Sequence, residues 1–173
     1  MTQGPLLLLD VDGPLNPWAA GERPVGFVEC RFRLSRLRRK LLRVWLNPGH
    51  GAELRGLAER TGVELVWATT WQHRANLWVG PAIGLPELPV IEFAGPHSDA
   101  LSNWKFPAVA RYAYGRPLAW LDDDFSLFPE ARDAFLKRRA AGGVATELVS
   151  VDPKVGMTGE DLAAVERWAA GIG

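Results

Sequence analysis

Apolar runs that stop abruptly at acidic or hydroxyl residues are the main pattern along this chain. The first run is Leu6 to Leu9, and the segment from Asp10 to Gly13 follows it directly. A continuous apolar run is typical of a central strand covered on both faces, as in a parallel sheet. Because carboxylates are costly to bury, Asp10 and Asp12 must lie where the strand leaves the core, and Gly13 permits a sharp turn there. Ligands of open α/β sheets bind beyond the carboxyl ends of the strands, so the pattern predicts a functional site at Asp10 and Asp12.

Later parts of the chain repeat this pattern and alternate with helical spacing. Further strands are predicted over 63–71, 118–124 and 147–151. Helices are predicted over 51–60, 106–114, 129–139 and 158–169. The first of these strands reaches Thr69 and Thr70, and the next ends in Asp122, Asp123 and Asp124. Alternating strands and helices imply an α/β fold, a three-layer sandwich with a Rossmann-like parallel sheet whose strand ends meet at one edge.

Two segments interrupt this alternation. Residues 14–24 are rich in turn-forming residues and are predicted as a loop over the acidic turn. Residues 26–34 and 41–46 have the alternation of strands, which predicts a β-hairpin and, with the loop, a flap insertion at about 14–47. Residues 72–104 are expected to be irregular, apart from a short helix near 74–79 and a short strand at 90–93. The length of 173 residues suits one core, so residues 1–173 are expected to form a single domain.

The composition limits the classes of function. Lysine plus arginine equals aspartate plus glutamate at 20 each, so any preference for nucleic acid must come from local clusters of charge. The one cysteine, Cys30, excludes an internal disulfide and a cysteine-only zinc site, and it is expected to be an inert core residue. The N-terminal leucines are too few for a signal peptide or a membrane span, so we expect a cytoplasmic protein with no membrane partner.

Polar groups from several segments are expected to meet at one edge of the sheet. Converging carboxylates repel one another unless a cation lies among them, and ligation by oxygen alone favours a hard ion, most simply Mg²⁺. A hydroxyl from Thr69 or Thr70 and the amine of Lys105 suit the oxygens of a phosphoryl group. A carboxylate beside the metal can attack phosphorus and form an aspartyl-phosphate. These residue types therefore predict a phosphoryl-transfer site.

The order of these motifs resembles that of the haloacid dehalogenase (HAD) superfamily. The similar motifs are Asp10-Val11-Asp12-Gly13 after an apolar strand, Thr69 after a second, Lys105 at a helix start, and the acidic residues after Leu118-Ala119-Trp120-Leu121. The resemblance implies that Asp10 is the nucleophile and Asp12 the general acid and base. It also implies that Thr69, with Thr70 beside it, and Lys105 bind the phosphate.

The same resemblance implies the metal ligands. Mg²⁺ would be bound by Asp10, by Asp12 through its backbone carbonyl, and by the acidic motif at Asp122 and Asp123. The run Asp122 to Asp124 leaves open which of its members contacts the ion. A dehalogenase of this family works without metal and lacks the second aspartate, so Asp12 favours a phosphomonoester hydrolase. In that reaction Asp10 must be ionised to attack, and Asp12 must carry a proton for the leaving oxygen.

The predicted insertions are small, which bears on the substrate. In the family, a minimal cap usually accompanies large or macromolecular substrates, because the site stays open. Positive charges cluster on the hairpin, at Arg31, Arg33, Arg36, Arg38, Arg39, Lys40 and Arg43. Such a cluster is often only a solvated face, but beside a phosphate site it favours nucleotide or polynucleotide phosphates, such as an RNA end, contacted by Arg36 and Arg38. The chain also resembles phosphatase domains of bacterial RNA-repair proteins.

Two tryptophans and one alternative function complete the expectations. Trp18 and Trp71 flank the expected site, and each either packs in the core or stacks on a base of the substrate. The alternative to catalysis is a catalytically weak or inactive HAD-like RNA-binding module that uses the basic hairpin. Catalysis is favoured because every residue type that the reaction requires is present.

Overall fold

The computed structural model describes residues 4–33, 41–93 and 105–172. In chain order its elements are β1 (Leu6–Leu9), β2 (Val28–Arg33), β3 (Leu41–Leu46), α1 (His50–Thr61), β4 (Glu64–Trp67), a π-helical turn (Ala75–Val79), α2 (Gly80–Ile83), α3 (Lys105–Tyr112), β5 (Leu118–Asp122), α4 (Pro129–Ala141), β6 (Thr146–Ser150) and α5 (Gly159–Gly171). Within these ranges, no helix combines the length and the apolar character needed to cross a membrane.

The four leucines of β1 lie at the centre of the main sheet. β1 pairs in parallel with β4 on one side and with β5 on the other, and β6 extends the sheet beyond β5. Leu6 to Leu9 have no exposed surface. A strand that is buried on both faces must be apolar at every position, which is why this run shows no alternation.

Helices cover both faces of this sheet. On one face α1 and α5 contact each other, and Leu7 lies in a buried cluster with Leu54 of α1. On the other face α3 and α4 contact each other, and Leu8 lies in a second cluster with Phe106 and Trp120. Full burial of one leucine contributes about 1.5–3 kcal/mol, so both clusters stabilise β1 substantially. The expected three-layer α/β sandwich with a parallel sheet is confirmed.

The hairpin is a separate two-stranded antiparallel sheet. β2 and β3 pair from Val28 opposite Leu46 to Arg33 opposite Leu41. Val44 and Leu46 are buried in the cluster that also contains Leu54, whereas most of β2 is exposed. One face of β3 therefore attaches the hairpin to the main core. The expected hairpin is confirmed over these strands, and the basic link 34–40 lies outside the described residues.

Three local expectations differ from the structure. The strand expected over 63–71 ends at Trp67, because the chain turns immediately afterwards and reaches a positive φ of 48° at Gln72. The strand expected at 90–93 is reduced to one bridge between Trp67 and Val90. The short helix expected near 74–79 is present as the π-helical turn, but the chain stays helical to Ile83, where an irregular segment was expected, since Pro81 occupies the first turn of α2, where its missing N–H costs nothing.

Two glycines of α1 offer a matched stability test. A Cβ at Gly51 would overlap the backbone carbonyl of Ile83, whereas a Cβ at Gly56 would meet only the flexible end of Arg60. We expect Gly51→Ala to lower the free energy of unfolding by about 1–3 kcal/mol, because the backbone of α2 must move. Gly56→Ala should raise it by about 0.5–1 kcal/mol through helix propensity. Denaturant titration measures both values, and equal shifts would contradict the close contact between α1 and α2.

Candidate active site

The ends of β1, β4 and β5 bring polar side chains to one edge of the sheet. Leu9 pairs with Leu121, so Asp10 follows β1 next to Asp122, the last residue of β5. The Asp10 N–H donates to the Leu121 carbonyl at 3.0 Å, which continues the ladder by one residue. Both aspartates are buried, with exposed fractions of 3% and 1%. The register of two parallel strands therefore places two carboxylates side by side.

Lys105, the first residue of α3, bridges these two carboxylates. Its Nζ donates to Asp10 Oδ2 and to Asp122 Oδ2, each at 2.7 Å, and lies 3.7 Å from Asp124 Oδ2. Burial acts to lower the pKa of Lys105, but the Asp10 and Asp122 carboxylates raise it above its ordinary value, so the amine is charged. Burial, and after it the Asp10 carboxylate, raises the pKa of Asp122. One buried ammonium thus serves two buried carboxylates.

Four carboxylates form an acidic cluster around this bridge. Ligand oxygens of Asp10, Asp122, Asp123 and Asp124 all lie within 4.8 Å of one another. Hard divalent cations prefer carboxylate oxygens, and the single ammonium of Lys105 does not balance four carboxylates, so the cluster can hold a metal ion. All three consecutive aspartates belong to this cluster, so Asp124 joins Asp122 and Asp123 as a candidate metal ligand.

Asp123 is fixed by two residues of the loop that follows β1. Its Oδ2 accepts a hydrogen bond from Trp18 Nε1 at 3.0 Å. A Cβ at Gly13 would lie 2.5 Å from Asp123 Cγ, and Gly13 has a φ of 88°, so only glycine fits both the backbone and the space. Burial raises the pKa of Asp123 to about 6, and the bond from Trp18 opposes this shift.

Asp12 has an environment of its own, in which two uncharged side chains donate to its carboxyl group. Trp71 Nε1 donates to its Oδ2 and Asn16 Nδ2 donates to its Oδ1, each at 2.8 Å. Burial raises the pKa of Asp12, although both hydrogen bonds act in the opposite direction. Its carboxyl group is therefore held by two neutral donors, whereas Asp10 is paired with a cation.

Both donors to Asp12 are themselves attached to the hairpin. Asn16 Oδ1 accepts from the backbone N–H of Trp45 in β3 at 3.1 Å. The Trp71 ring packs edge-on against Phe32 of β2, with 6.3 Å between the ring centroids. The role of Asn16 was not predicted, since one asparagine in a proline-rich loop carries no sequence signal of partners in two other segments. The hairpin thus orients the carboxyl group of Asp12.

The acidic cluster opens into a cavity of about 580 Å³. Asp10, Asp12 and Lys105 lie on its wall, together with Leu42, Arg43, Val44, Arg74 and Trp78. Thr70 also lines the cavity, whereas Thr69 is fully buried and its Oγ1 accepts from the Trp71 N–H at 3.3 Å. The structure therefore brings the Thr70 side chain to the cavity and turns that of Thr69 into the protein.

The remaining expected substrate residues differ in their placement. Trp18 is 60% exposed and lines the cavity, so core packing does not describe it. Trp71 is buried, lines the cavity and donates a hydrogen bond to Asp12. It therefore packs in the core and also belongs to the site. Arg36 and Arg38 lie outside the described residues. Cys30 is only partly buried on β2, and burial raises the pKa of its thiol.

Substitution of Asn16 tests the link between the hairpin and Asp12. Asn16→Asp keeps an oxygen for the Trp45 N–H but removes the donor to Asp12 and places a second carboxyl group beside it. We expect the free energy of unfolding at pH 7 to fall by about 1–3 kcal/mol, as for a buried polar group left without its partner.

The pH dependence of this loss has a definite sign. Repulsion between the two carboxyl groups raises their pKa in the folded protein above its value in the unfolded chain. The folded protein therefore binds a proton more readily as the pH falls, and the loss in the free energy of unfolding should be smaller at pH 5 than at pH 7. Asn47→Asp is the control, because Asn47 Oδ1 accepts from the Gly49 N–H and the substitution keeps that bond. Equal unfolding energies for the two variants, measured by denaturant titration, would contradict the coupling.

Comparison with known proteins agrees with this architecture. A family model described as "HAD domain in Swiss Army Knife RNA repair proteins" matches residues 6–162. No curated protein and no solved structure matches the chain. The match confirms the resemblance that the ordered motifs predicted, and it supports a phosphoesterase-like function in general. The chain belongs to the haloacid dehalogenase superfamily, within the family of HAD domains in Swiss Army Knife RNA repair proteins.

Proposed function

We propose that this protein is a Mg²⁺-dependent phosphomonoester hydrolase that acts through an aspartyl-phosphate at Asp10. The observation that carries the proposal is the bridge from Lys105 to Asp10 and Asp122 inside an acidic cluster that opens into the cavity. A carboxylate held in place, a cation and an open approach are what nucleophilic attack on phosphorus requires.

Asp10 is the nucleophile in this proposal. Its Oδ1 accepts from the Val11 N–H at 2.7 Å and its Oδ2 from Lys105, so both oxygens are oriented before the substrate arrives. The attack forms a bond between a carboxylate oxygen and phosphorus and breaks the bond from phosphorus to the leaving oxygen. Water then attacks the aspartyl-phosphate, releases inorganic phosphate and regenerates the carboxylate of Asp10.

Asp12 is the general acid and base. Burial raises its pKa, which favours the protonated form that can give a proton to the leaving oxygen. In the second step the resulting carboxylate takes a proton from the attacking water. Trp71 and Asn16 fix both oxygens of Asp12, so the same group is in position for each step.

A lysine and a hydroxyl group bind the phosphoryl oxygens in this proposal, and the acidic cluster would hold a metal ion beside them. Lys105 supplies a positive charge, and Thr70 supplies the hydroxyl group that lies on the cavity wall, with Thr69 as a buried support of the turn. When bound, Mg²⁺ would neutralise charge on the phosphoryl group, held by carboxylates of Asp10, Asp122, Asp123 or Asp124 and by the backbone carbonyl of Asp12.

The substrates proposed are nucleotides or polynucleotides with a terminal phosphate, such as an RNA end. The family name refers to RNA repair proteins, and the cavity is large enough for more than a phosphate group. Trp18 is largely exposed beside the acidic cluster and is the residue best placed to stack on a base.

The test of the catalytic proposal is turnover of an aryl phosphate with and without Mg²⁺. We expect Asp10→Asn and chelation of divalent ions each to reduce turnover to background, because the nucleophile or its counter-ion is lost. Asp12→Asn should lower kcat by about 10²–10⁴-fold, the usual contribution of a positioned acid or base.

The matched control is Asp133→Asn, which replaces an exposed aspartate of α4 that neither belongs to the acidic cluster nor lines the cavity. This variant should retain the rate of the unsubstituted protein. All rates are measured with purified protein, and turnover that survives Asp10→Asn or chelation would contradict the proposal.

A further inference from the structure

One part of the cavity wall has no role in the phosphoryl chemistry. Arg43 of β3, Arg74 and Trp78 line the same cavity as Asp10, and within the described part of the chain neither arginine forms an ion pair with the acidic cluster. Two arginines from separate segments therefore lie beside a site that is otherwise strongly acidic. A positive wall at that position suits an anionic group other than the one that reacts.

Arg74 is held by an aromatic stack. Its Cζ lies 5.9 Å from the centroid of the Trp78 ring, and Trp78 stacks on Phe32 of β2 at 5.5 Å with 6° between the ring planes. A guanidinium group that stacks on a ring uses its flat face and leaves the N–H donors at its edge available. No carboxylate in residues 4–33, 41–93 or 105–172 forms an ion pair with Arg74.

Arg43 belongs to a small charge group on the hairpin. Its guanidinium lies 3.8 Å from Glu29 Oε2, while Glu29 Oε1 accepts from Arg31 Nε at 2.6 Å. Arg31 and Arg43 stand opposite each other across the two strands, so one glutamate serves two arginines. The Arg43 side chain is 65% exposed, and the residue lies at the cavity wall between Leu42 and Val44.

We propose that Arg74, with Arg43 at the edge of the cavity, forms a subsite for a second phosphate group of the substrate. The inference rests on the proposed function, because it assumes that the terminal phosphate reacts at Asp10. Guanidinium groups bind phosphate through paired N–H donors, and two of them offset the repulsion between a second phosphate and the acidic cluster. The cavity of about 580 Å³ lies within the size range of sites that enclose whole small molecules. The subsite selects substrates with at least two phosphates over simple phosphomonoesters.

The experiment compares kcat/KM for four substrates. They are an aryl phosphate, a nucleoside monophosphate, a nucleoside 3′,5′-bisphosphate and a dinucleotide with a terminal phosphate, whose second phosphate is the phosphodiester. We expect the two-phosphate substrates to be preferred over the nucleoside monophosphate by about 10–100-fold, the gain from a charge-assisted hydrogen bond. Preference for the bisphosphate or for the dinucleotide identifies whether the second phosphate is a free ester or a chain linkage.

Variants of Arg74 decide whether the subsite is responsible. Arg74→Gln should remove most of this preference, and Arg74→Lys should restore part of it, because lysine keeps the charge but not the paired donors. For the dinucleotide, the slope of log(1/KM) against log salt should become shallower by about one in Arg74→Gln. Arg167→Gln on α5 replaces an exposed arginine that does not line the cavity, and it should keep the preference.

The outcomes separate the subsite from the catalytic proposal. If the unsubstituted protein hydrolyses the aryl phosphate but shows no preference for a second phosphate, the subsite is refuted and the catalytic proposal stands. An equal loss of preference in Arg74→Gln and Arg167→Gln would also refute the subsite, since the change in the net charge of the protein would then explain the loss. If no substrate is hydrolysed, the catalytic proposal fails, and equilibrium binding of the dinucleotide to Arg74→Gln still tests the subsite.

Discussion

The site depends on one ammonium group that is shared between two buried carboxylates. The register of β1 and β5 forces Asp10 and Asp122 together, and without Lys105 they would be two uncompensated charges in a low-dielectric environment. Breaking such a pairing by removing one partner typically costs about 3–5 kcal/mol. The lysine at the start of α3 therefore allows the parallel sheet to end in two adjacent carboxylates at this edge. Fold and function are joined at this contact, since the groups that stabilise the strand ends are also the groups proposed to react.

The orientation of Asp12 depends in turn on the hairpin. The carboxyl group of Asp12 is oriented by Asn16 and Trp71, and both of these residues contact the hairpin strands. The hairpin is thus more than a cover over the cavity. Its packing on the core through Val44 and Leu46 fixes the residue proposed to transfer protons. The same hairpin carries Arg43 and supports the stack under Arg74, so one small insertion serves both the chemistry and the proposed choice of substrate.

The sequence predicts well those features that repeat along the chain or that follow from strand order. The leucine run of β1 and the acidic end of β5 show their burial directly, and parallel pairing brings their ends together without further information. Asn16 and Arg74 could not be predicted, because their importance comes from partners that lie far away in the chain or across a cavity. The Thr69–Thr70 pair shows a related limit: both follow the same strand, and only the turn after Trp67 decides which hydroxyl group reaches the cavity.

Covalent phosphorylation of Asp10 is the central claim, and an acid-quenched single turnover tests it most directly. The protein is mixed with a substrate that carries a radiolabelled terminal phosphate, quenched in acid, and digested for mass spectrometry. The account predicts a hydroxylamine-sensitive label on the peptide that contains Asp10, with more label when Asp12→Asn slows its hydrolysis. Release of inorganic phosphate with no protein-bound label, or with label on a residue other than Asp10, would contradict it.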